Sequence, residues 1–158
     1  MGLGPANPTD ADVFISYAQD EDGSQAIDLA DRLESAGVSV WIAGRSIEGA
    51  QNYGPEVVAA IERCKVLVLL CSAASLHSGH VAVEVQLAFE ADRPRLPLRL
   101  DDTPFPGQIR YWLTGANWID VSGAAEDWLP KVMRALEHLG VRQGQDRAAP
   151  AARASEGG

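Results

Sequence analysis

The residue best suited to chemistry is a glutamate in the middle of the apolar segment from 79 to 91. At helical spacing, Glu84 falls between small and aliphatic side chains, on the arc that should meet the rest of the protein. Gln86 and Glu90 fall on the opposite, polar arc. An isolated buried charge is costly, so a carboxylate on an apolar face is either paired or used in function. Glu84 is therefore the first candidate for a functional residue.

Two other interpretations of Glu84 stay open at this point. Structural ion pairs also occupy such positions, and His80, one turn earlier, is placed to hydrogen-bond to the carboxylate. A metal site is the second alternative, because His77, His80 and Glu84 have spacings of three and four residues, and two histidines with a glutamate can bind zinc. That set needs one continuous helix, whereas Ser78 and Gly79 favour a helix that starts after His77. We therefore expect no metal site.

The elements that must position this helix follow from apolar periodicity. Strands are predicted at 12–17, 38–42, 65–71, 96–100 and 117–121. Helices are predicted at 24–36, 55–63, 80–91 and 128–139, with a short turn of helix near 109–113. Five strands alternating with helices predict a doubly wound α/β domain, a flavodoxin-like parallel sheet in the order 2-1-3-4-5 with helices on both faces.

Two local details sharpen this scheme. Pro97 cannot donate to a neighbouring strand, which predicts that the fourth strand lies at a sheet margin or ends there. The polar segment 72–79 is predicted to be a loop between the third strand and the helix that carries Glu84. Ligands of this fold class bind at the carboxyl ends of the strands, so the loops after strands one to three should hold the site.

Those loops lack the common nucleotide-binding motifs. No G-x-G-x-x-G follows the first strand, which argues against a dehydrogenase-type cradle. Gly44 and Gly49 have the spacing of a phosphate loop, but alanine and glutamine follow where that loop needs lysine and a hydroxyl residue. A phospho-receiver domain would need an aspartate where the third strand ends at Cys71.

Composition limits the domain count and the class of partner. A chain of 158 residues with 46% hydrophobic content suits one domain, which we place at 12–141 between disordered tails at 1–11 and 142–158. The second tail is equally compatible with a linker to another domain. A net charge of -9 argues against nucleic acid as a partner.

Cysteine usage and hydropathy indicate the compartment. Cys64 and Cys71 lie in or beside an apolar strand without metal or redox spacing, which favours core thiols in a reducing environment. There is no stretch of transmembrane length and no signal-peptide pattern at the start. We expect a cytoplasmic protein that does not associate with membranes.

Several segments together resemble bacterial Toll/interleukin-1 receptor (TIR) domains, from about residue 12 to about residue 139. They are the DVFISY of strand one, the segment 37–42 with its tryptophan, the loop with Ile47 and Gly49, the apolar strand 66–72, the pattern S-x-x-S at 72–75, the pattern V-x-x-E-x-x-x-A at 81–88, and the W-I-D at 118–120. Each segment alone is weak, whereas the set is specific.

The resemblance implies roles for named residues. TIR domains either only associate or cleave the nicotinamide–ribose bond of NAD+, and in the enzymes a glutamate of the third long helix carries the reaction. That residue corresponds to Glu84. Similarity to the enzymes further implies that Tyr53 stacks on the substrate and that Ser16, Tyr17 and His80 line the same cleft.

The resemblance has departures that bear on substrate binding. Ala43 stands where many members carry an acid after strand two. Ala18 and Gln19 stand where some enzymes have basic residues. The remaining candidates for a cation at the pyrophosphate are Arg45 and Arg110.

Three functions are ranked, the first two from the resemblance and the third from the spacing of His77, His80 and Glu84. The first is an NAD+ glycohydrolase or ADP-ribosyl cyclase that uses NAD+ as substrate, needs no cofactor, and acts as a homo-oligomer or filament through TIR–TIR contacts. A fused or partner sensor domain and a role in antiviral defence signalling are part of that expectation. The second is a non-enzymatic TIR–TIR scaffold. The third is a metal-dependent hydrolase.

Overall fold

The computed structural model describes residues 10–42 and 53–143. Their strands are β1 (Val13–Ser16), β2 (Val40–Ile42), β3 (Val66–Cys71), β4 (Arg95–Arg99) and β5 (Ile119–Asp120). Their helices are α1 (Gly23–Ser35), α2 (Tyr53–Arg63), α3 (Ala73–Leu76), α4 (Gly79–Glu90), α5 (Gly107–Trp112) and α6 (Ala125–His138). The predicted tails lie almost wholly outside the described residues.

All strand pairs are parallel, in the order β2-β1-β3-β4-β5. The predicted fold class and strand order are therefore confirmed. Every residue of β3, the central strand, is buried, which is why this strand reads as one uninterrupted apolar run.

Helices cover both faces of the sheet, and alternate strand residues contribute to two cores. Val13 and Ile15 of β1 belong to the core that includes residues of α1 and α6. Phe14, between them, belongs to the core that includes residues of α2, α4 and α5, and it stacks on Trp41 of β2 with ring centroids 4.8 Å apart. Helix α4 thereby lies against the sheet next to β1 and β3, where Glu84 can reach the strand ends.

The segment 72–79 is not a simple loop, so that prediction is wrong. It contains the short helix α3, which starts with a reciprocal pair of serines. The Ser75 backbone N–H donates to Ser72 Oγ at 3.1 Å, and the Ser72 N–H donates to Ser75 Oγ at 2.9 Å. A capping box of this kind normally carries Glu or Gln at the third helical position, where this chain has Ser75. The sequence pattern therefore did not indicate that a helix starts here.

Pro97 does not mark a sheet margin, and that prediction is also wrong. It is the middle residue of β4, which lies between β3 and β5, and it pairs with Leu69. Pairing with β5 begins only at Leu98, and Arg99 O accepts the Val121 N–H on the β5 side. Alternate residues of a strand direct their backbone groups to the same neighbouring strand, so Pro97, like Arg99, faces the β5 side. Because β5 begins only opposite Leu98, no ladder hydrogen bond from residue 97 is lost there.

Within residues 10–42 and 53–143, no helix is both long and apolar enough to cross a membrane. Both cysteines are free and buried beside or within β3. Burial raises the pKa of Cys64 and of Cys71 to about 12, since a thiolate in an apolar core loses its hydration.

These thiols should react only when the domain opens. At pH 8 a pKa of about 12 leaves roughly one thiol in ten thousand ionised, against about a quarter for an unperturbed cysteine. We expect a thiol-specific reagent at pH 8 to modify both cysteines slowly in the native protein and rapidly in denaturant. Fast stoichiometric labelling of the native chain would contradict the buried placement of β3.

Candidate functional site

Glu84 lies in the second turn of α4, on its buried face. The helix begins after Ser78, whose hydroxyl accepts the Val81 N–H at 3.3 Å. Only 4% of Glu84 is exposed, and it shares its face with Val81, Val85 and Ala88. Gln86 and Glu90 hydrogen-bond to each other at 3.1 Å on the outer face. The arc inferred from helical spacing is therefore the arc that the structure buries.

A hydroxyl of the sheet holds this carboxylate. Ser16, the last residue of β1, is fully buried, and its Oγ donates to Glu84 Oε1 at 2.6 Å. That length lies within the usual range of a well-formed O–H···O hydrogen bond. The bond joins α4 to the carboxyl end of β1, where this fold class places its ligands.

A cleft of about 450 Å³ opens next to this pair. Its lining residues come from the β1–α1 loop, from α3 and from the start of α4: Tyr17, Ala18, Gln19, Asp20, Glu21, Ala74, Ser78 and His80. Ser16 and Glu84 are not among them. Each is nevertheless close to a lining residue, because Tyr17 follows Ser16 directly and His80 lies one helical turn before Glu84. The carboxylate thus lies beside the cleft, largely covered.

A second serine–carboxylate bond holds the wall of the cleft. Ser72, at the end of β3, donates from Oγ to Asp22 Oδ2 at 2.5 Å, and both residues are buried. Asp22 immediately precedes α1, so the bond ties the loop 17–22 to the neighbouring strand end. Sequence reasoning missed Asp22. Its position before a helix suggests a side-chain cap, but it makes no such bond and points to Ser72 instead.

The sequence-predicted site residues lie in different places in the structure. It brings Ser16 and Glu84 into contact, and it places Tyr17 and His80 in the cleft wall. Arg45 lies outside the described residues. Of Tyr53 only the backbone is described, as the first residue of α2. Arg110 is an exposed residue of α5 and is not among the residues that line the cleft.

The geometry needed for a metal set at His77, His80 and Glu84 is not present. His77 ends α3, its Nδ1 lies 2.9 Å from the Ala73 carbonyl oxygen, and α4 begins separately at Gly79. Across the described ranges, no three His, Cys, Asp or Glu side chains come together as a metal-binding group.

One further cation lies at the carboxyl ends of the strands. Arg99 of β4 lies between two aromatic rings, 4.7 Å from the Phe105 centroid and 5.0 Å from that of Trp118. Its Nη2 donates to the Thr103 carbonyl oxygen at 2.7 Å. Its guanidinium is thus engaged within the β4–α5 region, and Arg99 is not among the residues that line the cleft.

Comparison with known proteins places this geometry in a family. The family model described as TIR domain matches residues 13–142. None of the curated proteins matches the chain.

Three solved structures share the fold. The TIR domain of the Toll-related receptor TRR-2 from Hydra magnipapillata has a TM-score of 0.66 at 20% identity, over 80% of this chain and 98% of that one. A metazoan TIR-STING receptor from C. gigas has a TM-score of 0.65 at 24% identity, and the match covers 86% of this chain and 42% of the receptor. The CMP N-glycosidase BcmB from Clostridium botulinum has a TM-score of 0.57 at 17% identity, and the match covers 76% of this chain and 96% of that one.

The Ser72–Asp22 bond gives a stability prediction. Ser72→Ala leaves a buried carboxylate without this donor and also removes the cap of α3, and we expect the free energy of unfolding to fall by about 1–3 kcal/mol in urea titration. The matched control is Ser122→Ala, which removes a 2.6 Å serine–aspartate bond to Asp120 between exposed residues and should change stability little. Equal effects of the two variants would show that the Ser72 bond does not hold the loop.

Proposed function

We propose that this chain, which belongs to the TIR domain family, cleaves the nicotinamide–ribose bond of NAD+ and that Glu84 carries the reaction. The observation that carries the proposal is the buried Glu84 carboxylate, held by Ser16 at 2.6 Å beside a cleft at the carboxyl ends of the strands. A TIR domain that only associates with other TIR domains does not need a carboxylate in that position.

The fold also supports this class of reaction. The neighbouring structure from Clostridium botulinum is named as a CMP N-glycosidase, an enzyme that breaks a bond between a base nitrogen and ribose. The nicotinamide–ribose bond is of the same type. At 17% identity the likeness is one of fold, so the assignment to this chain depends on Glu84 and the cleft.

The chemistry of NAD+ explains why one carboxylate suffices. Nicotinamide is bound to ribose as a cation and leaves as a neutral molecule, so no general acid has to protonate it. As the C1′–N bond breaks, its electron pair goes to nicotinamide and positive charge builds on the ribose. A preplaced carboxylate stabilises that oxocarbenium-like state. Water then adds to C1′ and loses a proton to give ADP-ribose, or an internal nucleophile closes a cyclic product.

NAD+ is the substrate in this proposal, and no separate cofactor is required. Tyr17 and His80 would contact it from the cleft wall. Tyr53 and Arg45 are proposed to complete the site, by stacking and by binding the pyrophosphate. We further propose that the chain acts in the cytoplasm and self-associates through TIR–TIR contacts. A fused or partner sensor domain would control this assembly in antiviral defence.

The assignment of Glu84 can be tested with two matched variants of one helix. Glu84→Gln keeps an oxygen that can accept from Ser16 but removes the negative charge, and we expect nicotinamide release to fall by about 100-fold to 1000-fold. Glu90→Gln makes the same change on the outer face of α4 and should leave the rate unchanged. Nicotinamide and ribosyl products are quantified by chromatography at high protein concentration.

Each outcome has a definite meaning. A rate of Glu84→Gln equal to that of the unchanged chain would remove the catalytic assignment. Assembly into oligomers without nicotinamide release would favour the scaffold function instead.

A further inference from the structure

We propose that Ser16 is a positioning residue that orients the Glu84 carboxylate, and that it does not itself contact substrate. This inference rests on the proposed function and assigns a step within it. The resemblance implied that Ser16 lines the substrate cleft. The structure instead places its side chain in the interior, hydrogen-bonded to the residue on which the chemistry depends.

Burial separates the role of Ser16 from that of its neighbour. Ser16 has no exposed surface, whereas 4% of Glu84 and 8% of Tyr17 are exposed. Successive strand residues point to opposite faces of the sheet, so Ser16 faces α4, whereas Tyr17 belongs to the core on the other face and also lines part of the cleft. The hydroxyl of Ser16 is already engaged at 2.6 Å with Glu84 Oε1.

The direction of the hydrogen bond fits an orienting role. An ionised carboxylate can only accept, so the Ser16 hydroxyl must donate to it. A donor on one oxygen of Glu84 restrains the side-chain torsions. This restraint orients the carboxylate for a cationic transition state before substrate arrives, which is where electrostatic catalysis gains its advantage.

The platform that carries Ser16 is rigid. β1 is an interior strand between β2 and β3, and Ser16 itself pairs in register with Leu69 of fully buried β3. A hydroxyl on such a strand has little freedom to move away from α4. Sites held by strands and helices in this way keep a functional group in place better than sites on loops.

The test separates turnover from binding. We expect Ser16→Ala to lower kcat by about 10-fold to 100-fold, the loss typical when a group that orients a functional ligand is removed, with KM changed little. Ser16→Thr keeps the hydroxyl on a β-branched residue suited to a strand and should recover most of kcat. In the Glu84→Gln background, Ser16→Ala should add almost nothing, because both changes affect one carboxylate.

A control and a replacement variant keep the test decisive. Ser39→Ala removes a side-chain acceptor at the amino edge of the same sheet, where Ser39 Oγ accepts the Asp12 N–H at 2.9 Å, and should leave kcat unchanged. Should Ser16→Ala fail to fold by thermal melting, Ser16→Cys preserves the volume with a much weaker donor and should show the same loss of kcat.

The outcomes distinguish this inference from the function on which it rests. An unchanged chain that releases no nicotinamide overturns both. An active chain in which Ser16→Ala keeps its kcat within about 2-fold, or raises KM alone, overturns only the positioning role, since a rise in KM alone indicates uniform substrate binding.

Discussion

The buried carboxylate of Glu84 is the constraint on which the site depends. Removing a charge from water is tolerated only when polar groups replace the lost hydration, and the sheet supplies one of them from the end of β1. The short bond to Ser16 fixes α4 against the strand at the point where the fold leaves room for a ligand. One hydrogen bond thus both satisfies a buried carboxylate and orients the group proposed for the chemistry.

The Ser72–Asp22 bond repeats the same arrangement one strand away. In both cases a serine where a strand ends donates to a carboxylate on, or just before, a helix. The first bond fixes the carboxylate proposed for the chemistry, and the second fixes the loop 17–22 that forms much of the cleft wall. Because β1 and β3 are neighbouring strands, the two bonds lie at adjacent strand ends on the carboxyl side of the sheet.

Sequence periodicity was enough for the fold and for the face of Glu84. A period of 3.6 residues decides which side chains of α4 turn inward, and a run of apolar residues marks a central parallel strand such as β3. Neither signal depends on distant contacts. The family resemblance supplied the role proposed for Glu84, which periodicity alone left divided between pairing and function.

The features missed by sequence reasoning depend on contacts distant in the chain or on unusual local chemistry. The partner of Asp22 is Ser72, fifty residues later, so no local pattern could reveal the bond. The capping box of α3 has Ser75 where Glu or Gln is usual. Pro97 fits inside the sheet only because β5 is two residues long and starts beyond it. Ser16 was identified, but its hydrogen bond joins it to Glu84, 68 residues later.

Under the proposed function, the charge of the cleft bears on the proposed self-association. Among the described residues, its lining carries two acids, Asp20 and Glu21, and no lysine or arginine. Such a lining suits the cationic nicotinamide end of NAD+ but repels its pyrophosphate. Under the proposed function, positive charge must therefore come from elsewhere, either from Arg45 or from a neighbouring copy of the chain. A site completed by a neighbour would stay weak in the monomer, which gives the proposed activation by assembly a physical basis.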